Sequence, residues 1–228
     1  SLAQMADARV PDIIISALAD KAETVRVTAV LVLGERRDRI ALPHLVKSLE
    51  DPAEKVREAA AEALAKIGDP MAIMPMLARL DDPSPIVPLA CSEAIVSFSE
   101  NSYDVLIEAL KHAEERIRRH ACDILIRIGE INLINRLVRI AQDRNNFLRE
   151  NIARILGRIG NSSVVETLMR MLSDRSSAVR KTAAEALGSL RDIRCLVALK
   201  QTTRDQSKEV RQAANMALQE IFKAHKLA

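Results

Sequence analysis

From Val164 to Asp174 the apolar residues Val165, Leu168, Met169 and Leu172 fall at three- and four-residue steps, so a helix formed there carries one apolar stripe. After the turn Arg175-Ser176-Ser177, residues Val179, Ala183, Ala186, Leu187 and Leu190 continue the same spacing. Two amphipathic helices and a turn therefore fill one short period. The period recurs along the chain: an apolar anchor followed by a polar or special residue stands at Val25-Arg26, Val56-Arg57, Val87-Pro88, Ile117-Arg118, Leu148-Arg149, Val179-Arg180 and Val210-Arg211, with spacings of 31, 31, 30, 31, 31 and 31 residues. A fixed period of this length is the mark of one supersecondary unit stacked on itself.

The pattern divides the chain into a single array over residues 1–225, with repeats near 8–38, 39–69, 70–100, 101–130, 131–161, 162–192 and 193–225. Second helices are rich in Ala at inward positions (Ala59-Ala60-Ala61, Ala63, Ala183-Ala184, Ala186), which lets neighbours approach closely without loss of helix propensity. Gly68, Gly129 and Gly160 are placed to end helices, and Pro43, Pro70 and Pro75 to begin them.

Polar positions are periodic as well. Five residues before each anchor stand Asp20, Asp51, Asp82, His112, Asp143, Asp174 and Asp205, and Arg follows the anchor in six of the seven units. A carboxylate at the start of the second helix and a guanidinium one turn on can bond each other, free backbone N–H groups, and the same groups of the next unit. Repetition makes a ladder of them. Its two departures, Pro88 for Arg and His112 for Asp, are adjacent and predict a break in mid-array.

These Asp-x4-Val-Arg elements, with the helix endings Ala63-Leu64-Ala65-Lys66-Ile67-Gly68-Asp69 and Ala186-Leu187-Gly188-Ser189-Leu190, resemble the HEAT repeat family, in particular the short-period variety found in phycobilisome lyases. The resemblance implies an all-α, right-handed α-solenoid of about seven two-helix repeats. It also implies mostly scaffolds and adaptors, with a few enzymes among them.

One period back from Val25, residues 1–7 fit the end of a preceding second helix, and Lys226-Leu227-Ala228 reads as a vector-derived tail at 226–228. A piece of a longer protein is the expectation. No run of about 18 apolar residues predicts a membrane span. Cys91, Cys122 and Cys195 are odd in number and widely spaced, which suits small core fillers in a reducing cytoplasm better than disulfides or ligands.

Catalytic signatures are scarce. His44, His112, His120 and His225 are scattered, with no His-Glu pair, no Cys-x-x-Cys, no Gly-rich phosphate loop and no G-x-S-x-G, so neither a catalytic centre nor a cofactor is expected. His120 and Asp123 share a helix as an ordinary surface pair. Charge is more informative: residues 111–160 hold eleven Lys or Arg against six Asp or Glu, and this segment alone accounts for the basic net charge. Its outward second-helix positions hold Arg119, Asp123 and Arg127 in repeat four, then Glu150, Arg154 and Arg158 in repeat five.

Lined up across a concave surface, Arg119, Arg127, Arg154 and Arg158 would suit a protein or acidic peptide. Nucleic acid is disfavoured by the lack of stacking partners, with no Trp, one Tyr and three Phe. In repeat one the matching outward positions are the apolar Val27 and Leu31, a second candidate contact. The reading is a non-catalytic interaction scaffold or regulatory module. Its alternatives are a chromophore-lyase subunit or chaperone, which rests on the resemblance alone, and a nucleic-acid binder.

Overall fold

The structure, a computed structural model, describes residues 12–226. The readings of residues 1–7 and of Leu227-Ala228 therefore lie outside the described residues. Among those described, every regular element is helical. The chain groups into two compact units, Ser1–Ala109 and Leu110–Ala228. The first holds α1 (12–17), α2 (Glu23–Arg36), α3 (Leu42–Ser48), α4 (Glu54–Ile67), α5 (Ile73–Leu77), α6 (Ile86–Ser97) and α7 (Tyr103–Ala109). The second holds α8 (Glu115–Ile128), α9 (Ile131–Arg139), α10 (Asn146–Ile159), α11 (Val165–Met171), α12 (Ser177–Leu190), α13 (Leu196–Thr202) and α14 (Lys208–His225). Short odd-numbered helices alternate with long even-numbered ones, the first and second helices of each repeat.

Local chemistry sets the boundaries. Most first helices are entered through a single tight turn whose leading Asp or Asn accepts the backbone N–H two residues on: Asp38 from Ile40, Asp69 from Met71, Asn161 from Ser163 and Asp192 from Arg194. The second helices α4, α8 and α10 end on Gly68, Gly129 and Gly160 in the left-handed region, at φ of 69°, 56° and 78°. Arg37 and Arg191 take that same position after α2 and α12 without the glycine, at φ of 50° and 52°.

Successive second helices pack through their smallest residues. A methyl group on Gly34 would lie 2.7 Å from the Ala63 Cα, one on Gly157 2.8 Å from the Ala186 Cα, and one on Gly188 2.8 Å from the Ala217 Cα. Glycine thus works with the alanines that the sequence pointed to: a Gly on one helix receives an Ala of the next, and the two backbones meet. Leu33, Leu45, Leu49 and Leu64 in the first unit, and Ile124, Leu125, Leu156 and Leu187 in the second, fill the layer between first and second helices and are excluded from solvent. In α11 the buried residues are Val165, Thr167, Leu168 and Met171, so Met171 takes the inward place expected for Met169.

The ladder is present, with a different partner for its arginines than their own carboxylate. The Arg149 Nε and Nη2 donate to both carboxylate oxygens of Asp174, 25 residues on, at 2.7 and 2.8 Å, while Nη1 donates to the backbone carbonyls of Asp143 and Arg144. Arg26 with Asp51, Arg57 with Asp82, and Arg180 with Asp205 make the same fork across one repeat boundary each. Each of these carboxylates also accepts an N–H two residues on, from Ala53, Ser84, Ser176 and Ser207.

Burial pushes the carboxyls of Asp51, Asp82 and Asp174 up, but the arginine fork and the backbone N–H outweigh it and hold all three below the usual carboxylate range. In Asp205 the Arg180 hydrogen bond is itself the dominant influence, in the same direction. At the predicted break the local half of the motif survives. His112 Nδ1 accepts the Glu114 N–H at 3.1 Å, as the aspartates do, and the Arg118 Nη1 donates to the His112 and Ala113 carbonyls. The Arg118 guanidinium lies over the Phe147 ring, 4.3 Å from its centroid.

Candidate functional site

The second helices α8 and α10 carry the basic row. In α8 the residues Ile117, Ala121, Ile124 and Leu125 point inward, which turns positions 119, 123 and 127 to solvent. In α10 burial of Leu148, Ile152, Ile155 and Leu156 does the same for positions 154 and 158. Arg119, Arg127, Arg154 and Arg158 are all exposed, as the helical period predicts. Glu150, also expected outward, is half-buried.

The two helices are neighbours, and their outer faces meet. Arg158 Nη1 on α10 lies 4.0 Å from the Asp123 carboxylate on α8. Arg154 donates to Glu150 one turn back at 2.9 Å and to the Asn151 Oδ1 at 3.2 Å. Asn151 is buried and its amide donates to the Leu110 carbonyl, which ties this stretch of α10 to the chain ahead of α8. The face thus offers four guanidinium groups with two carboxylates among them, on helices whose relative position is fixed by core packing. Exposed pairs of this kind hold each other weakly, so an incoming anion displaces them at little cost.

Val27 and Leu31 are half-buried on α2 and are not the open apolar surface that was expected. The exposed apolar residues of that helix are Val25 and Val32, each 40% accessible. With Ile13, Ile14 and Ala17 they line a groove of 380 Å³. Val32 stands where Ala63 does one repeat later, the residue that meets Gly34 of the repeat before it.

The three cysteines are buried thiols. Burial pushes Cys91 and Cys122 up to about 12 and Cys195 up to about 11. Among the described residues no group of three or more His, Cys, Asp or Glu side chains is placed to hold a metal ion, and no helix is long and apolar enough to cross a membrane.

Helix pairs stacked through a repeating Arg–Asp fork define an α-solenoid protein. The HEAT repeat family model matches residues 10–95, 73–150 and 133–219, and the chain belongs to that family. No curated protein matches it. Among solved structures it is similar to human deoxyhypusine hydroxylase in complex with glycerol, at 24% identity over 93% of this chain and 84% of that one, with a TM-score of 0.45. It is also similar to the complex of CpcE and CpcF of phycocyanin lyase from Nostoc sp., at 19% identity over 93% and 94% of the two chains and a TM-score of 0.42. A designed armadillo repeat protein in complex with the peptide (KR)4 matches at 20% identity over 93% and 99%, with a TM-score of 0.35.

Proposed function

We propose that the chain is a non-catalytic protein-interaction module that holds an acidic segment of a partner across the second helices of repeats four and five, on the concave side of the stack. The observation that carries this reading is the exposed row Arg119, Arg127, Arg154 and Arg158 on two adjacent helices, whose faces meet at the Arg158–Asp123 pair. A guanidinium recognises a carboxylate through two parallel N–H donors, so several in a row suit an extended acidic chain. Three buried, unpaired thiols support a reducing compartment such as the cytoplasm.

Nothing observed favours nucleic acid over an acidic peptide, and one Tyr and three Phe leave bases little to stack on. A chromophore-lyase role rests on kinship alone. The test is reversal of Arg127, Arg154 and Arg158 to Glu, which should abolish partner binding and leave helicity intact. Should that face prove inert, the exposed Val25 and Val32 of α2 are the next surface to examine.

A further inference from the structure

A second basic feature lies away from the second-helix row, in the open cleft between the first helices of repeats five and six. The cleft has a volume of 690 Å³ and an apolar floor of Val138, Ala141 and Met171. Arg139 and Arg170 enter it from the last turns of α9 and α11, and Arg144 and Arg175 from the turns that follow. None of these four makes an ion pair at bonding distance with a carboxylate among the described residues, although Arg175 lies close enough to Asp174 to help hold its carboxyl down. Arg170 reaches only the Thr167 hydroxyl, and Arg175 only the Arg144 carbonyl. Of the cleft's two carboxylates, Asp174 is neutralised by the Arg149 fork, while Asp143 accepts the Asn145 N–H and keeps its charge, leaving four guanidinium groups against one carboxylate.

The repeat does not require these arginines. Arg139 and Arg170 stand nine residues before their anchors, where the other repeats hold Ser16, Lys47, Ala78, Glu108 and Gln201. Arg144 and Arg175 stand four before, where the others hold Lys21, Pro52, Pro83, Ala113 and Gln206. A cation at a helix C-terminus is favourable in itself, and Lys47 answers to that. Only repeats five and six carry Arg at both positions, and they do so side by side around one cleft.

We propose that this cleft binds a compact soluble anion bearing several phosphate groups, held by Arg139, Arg144, Arg170 and Arg175. The volume lies within the range of small-molecule sites. Planar guanidinium forks match phosphate oxygens two at a time, and four of them against the single unforked carboxylate of Asp143 leave an excess of positive charge that suits a ligand of high charge density. An extended acidic chain would need charge continuing along the stack, whereas here it stops at Glu108 and Ala113 on one side and at Gln201 and Gln206 on the other. No aromatic side chain lines the cleft, so recognition runs through the phosphates and not through a stacked ring.

Calorimetric titration of the full chain with inorganic tripolyphosphate tests this. Binding to one site is expected, weakened by about tenfold or more in Arg139→Gln/Arg170→Gln and in the single variant Arg144→Gln, as loss of charge-assisted hydrogen bonds requires. Arg127→Gln/Arg158→Gln on the second-helix face should bind like wild type. Unchanged thermal midpoints in all variants separate lost binding from lost folding. Absence of binding to wild type, or equal weakening by the second-helix variant, overturns the proposal. Cosedimentation with phosphoinositide-containing vesicles that the Arg139→Gln/Arg170→Gln pair abolishes would place the phosphates on a lipid surface and overturn the soluble ligand.

Discussion

Arg149 and Asp174 face each other across a repeat boundary in a two-pronged ion pair, with side chains only 4% and 12% exposed. The same guanidinium closes the turn ahead of its own helix by donating to the Asp143 and Arg144 carbonyls. One side chain thereby fixes both the start of α10 and its register with the next repeat. Removal of either partner leaves the other charge poorly solvated.

Arg149→Ala should therefore be among the most destabilising single changes in the second unit, at about 3–5 kcal/mol, the range for breaking a buried pair. Arg118→Ala, whose guanidinium lies over Phe147, should cost about 1 kcal/mol. Lys181→Ala, exposed and paired only along its own helix, should stay within about 0.5 kcal/mol. Urea unfolding of the three variants ranks them; similar small values for all would remove the ladder from the account of stability.

The pH dependence follows from the same pairs. Asp51, Asp82, Asp174 and Asp205 are held below the usual carboxylate range in the folded state, so the unfolded chain binds protons first as pH falls. Their contribution is complete above an unfolded-state value of about 4 and is lost as pH drops below it through the lowered folded values. Urea midpoints should be flat from neutral pH down to about 5 and fall steeply below about 4. Asp174→Asn should lower the plateau and shallow the acid limb; an acid limb as steep as wild type would exclude this carboxylate from it.

Backbone geometry gives a pair of opposite effects. Gly157→Ala places a methyl group against Ala186 and should destabilise by about 1–3 kcal/mol, the usual cost of overpacking. Arg37→Gly relieves a left-handed residue at the end of α2, φ 50°, and should stabilise by about 1 kcal/mol. Thermal melts of both variants decide it, and a neutral Gly157→Ala would show that α10 and α12 have room to separate.

Buried thiols set a fourth expectation. With Cys91 and Cys122 pushed up to about 12, few thiolates exist at neutral pH, and a thiol reagent should label the native chain slowly and the unfolded chain at once. Rapid labelling of native protein at either position would mean that its helix opens often.

Much of this was legible in the sequence because the repeat states it seven times. Period, helix pairing, glycine caps and the outward placement of Arg119, Arg127, Arg154 and Arg158 all follow from spacing on a helix. The arginine's partner was legible only in part, as its own carboxylate and that of the next unit together. A periodic sequence offers Arg180 an aspartate six residues back and another 25 ahead, and only the stacking distance shows that the carboxylate of Asp205 is met while Asp174 supplies its carbonyl.

The exposed apolar edge was misplaced for a related reason. Helical phase separates inside from outside, but it does not separate an open outer face from one beside a neighbouring helix, and it is Val25 and Val32, lining a groove with Ile13, Ile14 and Ala17, that are exposed. The arginines of the first-helix cleft did leave a signal, four and nine residues before the anchors, visible once the repeats are aligned on those anchors.

The most direct test of the interaction role is fluorescence anisotropy of a labelled octaglutamate peptide against the wild-type chain and against Arg127→Glu/Arg154→Glu/Arg158→Glu. Arg139→Gln/Arg170→Gln serves as the control for the other basic cleft. The account predicts saturable binding by wild type that weakens with added salt, since exposed charges are screened beyond about 8 Å at physiological ionic strength. It predicts a loss of about tenfold or more in the triple reversal and little change in the control. Equal affinity of wild type and the triple reversal at low salt would contradict it.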